Sequence, residues 1–190
     1  MNTTAEVKAV SDICVTSSVA HKIINKVSAD QVIFVPDKNL GDYVRRFTQK
    51  QVITPGGYCY VHNEFVPDHI TNVRQKFPGI KVLVHPESPR EVIDLADEAA
   101  STSGMISYVM HSDADTFFIG TENGLVERLK RDFPEKHFIT APSPHVCHDM
   151  KKISLYDVYH ALHNKEYEII LSEEIITSAQ IALQRMIELR

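Results

Sequence analysis

Three cysteines and ten histidines carry most of the chemistry open to this 190-residue chain. Cys59 lies in the run TPGGYCYVH, with His62 three residues on, and Cys147 lies in APSPHVCH, with His148 beside it. Thiolates suit zinc or an iron–sulfur cluster. No CxxC is present, so neither metal is singled out by spacing, and a buried thiol stays open for any one cysteine. Zinc held by Cys59, His62, Cys147 and His148 ranks below a cluster, because two Cys–His loops would make an unusual tetrahedral set. His85-Pro86-Glu87 is a compact polar group suited to acid–base work or carboxylate recognition. Its bland alternative is that Glu87 and Ser88 cap a helix opening near Pro89.

Asp37-Lys38-Asn39-Leu40-Gly41 could seat a phosphate through Lys38 and backbone N–H groups. Its spacing matches neither a P-loop nor GxGxxG, so it reads as a structural turn in which Gly41 permits the bend. Ser17, Ser18 and Ser103 lack the G-x-S-x-G context of an activated serine. The hydroxyl runs 16–18 and 101–103 each precede a helical pattern, where capping is their ordinary role.

The elements that must position these residues come in two similar sets. VIFVPDKNLGDYVRRF, from Val32, and TFFIGTENGLVERLKRDF, from Thr116, each run from an apolar strand through an Asn- and Gly-bearing turn into a helix. Leu40, Val44 and Phe47 recur at helical spacing, as do Leu125, Leu129 and Phe133. QVITPGGYCYVH and HFITAPSPHVCH then close the copies with a short strand, a loop, a Cys and a His, so that Cys59 and Cys147 occupy equivalent places. Upstream, Ile13 to Val15 reads as a short strand holding a buried Cys14, and Lys81 to Val84 as another. Alternating strands and helices predict parallel sheets with helices on both faces. The period of about 85 residues falls at the small end of the domain range. It places one domain at 1–81, a second at 82–165 and a C-terminal helix at 166–190. In such sheets ligands sit beyond the carboxyl ends of the strands, where the polar groups above fall.

Composition narrows the function classes. The net charge is −5 with no basic stripe, which argues against nucleic acid as a partner. An odd number of widely spaced cysteines argues against a disulfide framework. No apolar run approaches the ~20 residues of a membrane span. MNTTAEVKAV lacks the regions of a signal peptide, so a cytoplasmic protein without a membrane partner is expected.

NTTAEVKAVSDICVTSS, VPDKNLGDYV, GGYCYVHNEF, LVHPESPREVIDLAD, the following STSGMI, and Cys147 with Met150 and Lys151 together resemble the quinolinate synthase family. The resemblance runs through the whole chain. It implies an α/β fold in which two homologous three-layer αβα units with parallel sheets form part of a pseudo-threefold, three-domain architecture. It implies a [4Fe–4S] cluster with one Cys from each domain, its free iron acting as a Lewis acid. It implies condensation of iminosuccinate with dihydroxyacetone phosphate to quinolinate, a precursor of NAD.

Residue by residue, the resemblance makes Cys59 and Cys147 cluster ligands. Asn2, Ser17, His85, Pro86, Glu87 and Thr102 become substrate contacts, with His85 and Glu87 transferring protons. The family's first domain, with the remaining cluster cysteine, is expected on another chain or reading frame. The alternative is a catalytically inactive remnant or binding module of the same fold that holds no cluster.

Overall fold

The computed structural model describes residues 3–189. They fall into two compact units: residues up to Cys14 together with Cys147–Leu189, and Val15–Val146.

In the larger unit, helix α2 follows the short α1 (Ala5–Ala9) of the other unit in sequence and spans Ala20–Ile23. Then come β1 (Gln31–Ile33), α3 (Lys38–Arg45), β2 (Gln51–Ile53), α4 (Tyr60–Asn63), α5 (Pro67–Lys76), β3 (Lys81–Val84) and α6 (Arg90–Ile93). The unit ends with β4 (Glu98–Ala99), α7 (Thr102–His111), β5 (Thr116–Gly120), α8 (Asn123–Asp132) and β6 (His137–Ile139). All pairings are parallel: β1 with β2 in one sheet, and β4-β3-β5-β6 in the other.

The four-stranded sheet is the middle of three layers, as its alternation of side chains dictates. Val82, Val84 and Phe118 point to one face and pack with Phe65, Ile70, Val73, Val92 and Ile93. Leu83, Phe117, Ile119 and Phe138 point to the other and pack with Met105, Val109, Leu125, Val126 and Leu129. Both faces are buried, so beyond their first residues β3 and β5 are continuously apolar rather than alternating.

The first sheet is smaller. Val32 and Val52 pack with Ala20, Ile24, Phe34, Leu40 and Val44, whereas Ile33 on the opposite face is 74% exposed. The strand expected at Ile13–Val15 does not form: these residues lie in irregular backbone. The Cys14 N–H donates instead to the Ala182 carbonyl at 2.9 Å, so its donor is satisfied by a helix rather than by a neighbouring strand. Cys14 is buried, as expected of it.

The two copies seen in the sequence are built alike. Asp37 and Glu122 each cap their helix with a carboxylate, accepting from the N–H of Leu40 and Gly124 respectively. The Lys38 N–H donates to the Gly57 carbonyl, two residues before Cys59, and the Asn123 N–H to the His145 carbonyl, two residues before Cys147. Gly41 corrects the sequence reading, because it lies inside α3 and makes no bend. A Cβ there would run into Thr54 Cγ2 and crowd Phe34, so Gly41 lets the helix lie close on its sheet.

In the smaller unit, α1 (Ala5–Ala9) packs along α10 (Glu173–Glu188), and α9 (Leu155–Asn164) follows a 3₁₀ turn at Met150–Lys152. The α9 N-terminus carries a capping box formed by Ser154 and Asp157. No helix among the described residues is long and apolar enough to cross a membrane.

Candidate functional site

Because the strands of the four-stranded sheet are parallel, their carboxyl ends share one edge. His85 follows β3 there, Thr102 lies beyond β4, and Thr121 follows β5. The peptide 85–88 is tied down where it leaves the sheet: the His85 N–H donates to the Gly120 carbonyl and the Ser88 N–H to the His85 carbonyl. The Asn39 side chain, from α3, donates at 3.0 Å to the Glu87 carbonyl and at 3.0 Å to Asn63 Oδ1. Exposed ion pairs, Arg90–Asp42 and Arg46–Asp94, join α3 to α6 alongside and add little stability of their own.

Cys59 is brought to the same place by Asp37. One Asp37 oxygen caps α3 through the Leu40 N–H and the other accepts from the Cys59 N–H, both at 2.7 Å. Burial raises the Asp37 pKa, against the pull of these backbone donors. Gly57 passes so close to the Pro36 carbonyl oxygen that a Cβ would lie 2.6 Å from it. Cys59 then stands at the N-cap of α4, which carries His62 one turn on.

His62 is the hinge of the site. Its Nδ1 lies 3.1 Å from Glu87 Oε2 and its Nε2 lies 2.9 Å from Thr121 Oγ1. Its ring stacks on His85, with centroids 4.1 Å apart and planes 14° from parallel. Burial alone would lower the His62 pKa, but the hydrogen bond with Cys59 and then Glu87 outweigh it and push it up to about 9. His85 is pushed down to about 3, first by burial and then by the His62 charge. Burial works to raise the Glu87 pKa, yet the His62 hydrogen bond and the nearby imidazole charges hold it below the ordinary carboxylate value. At neutral pH the site therefore contains an imidazolium, a neutral imidazole and a carboxylate within one stack.

Cys59, His62 and Glu87 each offer a ligand atom, and these atoms all lie within 4.8 Å of one another, a donor set able to hold a metal ion. The predicted His85, Pro86, Glu87 and Cys59 thus come together. Ser17 is half-buried in the turn before α2, and Thr102 is exposed at the first position of α7, behind the Ser101 cap. Cys147 is half-buried in the smaller unit and in no disulfide. Asn2 lies outside the described residues. The capping alternative for Glu87 gives way: α6 starts after Pro89 with no side-chain cap. Thr121 was not singled out in the sequence, and His62 entered only as a ligand of the lower-ranked zinc set.

The chain matches the quinolinate synthetase A protein family over residues 1–188. It is 47% identical over 189 residues to a protein of Methanoregula boonei named quinolinate synthase, covering 100% of this chain and 63% of that one. A quinolinate synthase of Methanocaldococcus jannaschii is 44% identical over 195 residues, covering 100% and 64%. One of Dehalococcoides mccartyi is 42% identical over 187 residues, covering 98% and 62%. The chain therefore spans somewhat under two thirds of the length of these curated relatives. With the match running along nearly every residue, the chain belongs to the quinolinate synthetase A family.

Proposed function

We propose that this chain supplies two of the three α/β domains of a cytoplasmic quinolinate synthase, a transferase of NAD biosynthesis. The enzyme condenses iminosuccinate with dihydroxyacetone phosphate, and a third domain completes its site. The observation that carries this reading is the stack of His62, His85 and Glu87 beside Cys59, in a chain that matches the family throughout.

A [4Fe–4S] cluster is consistent with the donor chemistry of this chain. Cys59 and Cys147 are both half-buried and in no disulfide, and equivalent hydrogen bonds tie the loops before them to the first residues of α3 and α8. Thiolates are the ligands such clusters take. Cys59 and Cys147 would hold it together with a third thiolate from the remaining domain. When bound, it supplies a Lewis-acidic iron that polarises substrate oxygen.

The other steps fall to the protein's own groups. Proton transfer during condensation and dehydration falls to the ionised Glu87 carboxylate together with the neutral His85 beside it. His62, held by Thr121, fixes the Glu87 carboxylate. The family resemblance makes Ser17, Pro86 and Thr102 substrate contacts, together with Asn2, which lies outside the described residues.

Anaerobic reconstitution of the chain with iron and sulfide tests it, alone and with the complementary third of a relative. A brown protein that forms quinolinate, and loses both colour and product with Cys59→Ser or Cys147→Ser, is expected. A colourless, iron-free complex with both cysteines intact would leave the alternative: a remnant of the fold without a cluster.

A further inference from the structure

The trio Cys59, His62 and Glu87 has the construction of a mononuclear metal site. In tetrahedral zinc sites, bonds of about 2.0–2.3 Å put neighbouring donor atoms roughly 3.3–3.8 Å apart. Here the three donors already lie within 4.8 Å of one another, with His62 Nδ1 3.1 Å from Glu87 Oε2, so small side-chain rotations close the set.

Each ligand is also held from behind. The outward ring nitrogen of His62 meets Thr121 Oγ1 at 2.9 Å, leaving Nδ1 turned to the other two donors. This is the arrangement by which metal-binding histidines are oriented. The Cys59 N–H is anchored on Asp37 Oδ2. The Glu87 peptide is gripped on both sides, its N–H donating at 3.3 Å to His85 Nδ1 and its carbonyl accepting from Asn39.

The donor set is one sulfur, one nitrogen and one oxygen, carrying two negative charges when deprotonated. That neutralises a dication, leaves a fourth position for water, and favours zinc or cobalt over magnesium and calcium, which require oxygen ligands.

We propose that Cys59, His62 and Glu87 bind one thiophilic divalent cation, zinc foremost. Bound there, the cation takes the Cys59 thiolate and the Glu87 carboxylate out of use for the condensation; this consequence alone rests on the proposed function. Cation and cluster then compete for Cys59, and cation binding is a self-contained property of the larger unit.

Cobalt(II) added to the reduced, metal-free 190-residue chain under anaerobic conditions tests it, followed by the thiolate-to-cobalt charge-transfer band. One cobalt per chain is expected, displaced by zinc but not by magnesium. Cys59→Ser abolishes the band. Glu87→Gln and His62→Gln each weaken binding at least tenfold, and Thr121→Val about tenfold, as loss of an orienting partner does. Cys147→Ser and Cys14→Ser leave it unchanged. Glu87→Gln is close to isosteric, so circular dichroism of that variant separates lost ligation from lost fold. Binding that ignores Glu87→Gln in a folded protein, or that disappears with Cys147→Ser, overturns the proposal. Because cluster assembly needs Cys147 and cobalt binding does not, failure of one reading is distinguishable from failure of the other.

Discussion

At the scale of single residues, the site is organised by one buried imidazole. His62 is only 9% exposed, yet it keeps its proton because Cys59 and Glu87 lie against one side of the ring. A folded-state pKa raised to about 9, above the ordinary 6.5, contributes stability that is complete below pH 6.5 and lost as pH rises through 9. His85 has the opposite sign. Its pKa, lowered to about 3, contributes stability that is complete above pH 6.5 and lost as pH falls toward 3. Urea midpoints measured across pH are expected to peak near 6.5, with His62→Gln flattening the alkaline limb and His85→Gln the acid limb. A midpoint flat from pH 6.5 to 9 in the unsubstituted chain would contradict the His62 assignment. Thr121→Val removes the oxygen facing His62 Nε2 and leaves a buried donor unpaired, so a loss of about 1–3 kcal/mol is expected in denaturant unfolding. Thr121→Ser retains the oxygen and most of the stability.

At the scale of elements, the loop before Cys59 and the start of α3 form one piece of construction, joined by Asp37 and by the Lys38–Gly57 hydrogen bond. Asp37→Ala removes a helix cap and the Cys59 anchor together. A loss of at least 1–2 kcal/mol in unfolding free energy is expected from the cap, accompanied by faster reaction of Cys59 with thiol reagents. Asp37→Asn, which keeps an acceptor, is milder in both measurements. Gly41→Ala distinguishes two accounts of that glycine. Helix propensity alone would stabilise α3 by roughly 1 kcal/mol. Overlap with Thr54 and Phe34 instead costs about 1–3 kcal/mol, so the thermal midpoint is expected to fall.

At the scale of the whole molecule, apolar surface is unevenly distributed. The four-stranded sheet is sealed on both faces, whereas Ile33 and Ile53 lie on an open face of the small sheet. In the smaller unit, Leu155 at 85% and Leu162 at 78% exposure stand with Tyr156 and Tyr159 on α9. Exposed apolar patches of this kind associate. Sedimentation of the 190-residue chain is expected to show association that grows with concentration and is weakened by Leu155→Glu combined with Leu162→Glu. A monomer throughout the micromolar range would contradict this.

Much of the fold and part of the site could be read directly from the residues. The runs at Lys81–Val84 and Thr116–Gly120 are apolar at every position that a doubly covered parallel strand requires, and they form those strands. The cap at Ser101 and the helix after Asp37 follow from local hydrogen-bonding chemistry that acts over three residues. His85 and Glu87 were legible because they sit together behind a strand. The Ile13–Val15 run was not decidable locally, since an apolar triplet becomes a strand only where a neighbour offers a ladder, and here a helix carbonyl takes its N–H. His62 was visible only as a neighbour of Cys59, and its closest charged partner stands 25 residues away. Sequence order says nothing about which way an imidazole nitrogen points. That direction is set by the tertiary fold, which brings α4 to the carboxyl ends of β3 and β5. There Thr121, from one strand end, and Glu87, from another, meet the two nitrogens of a single ring.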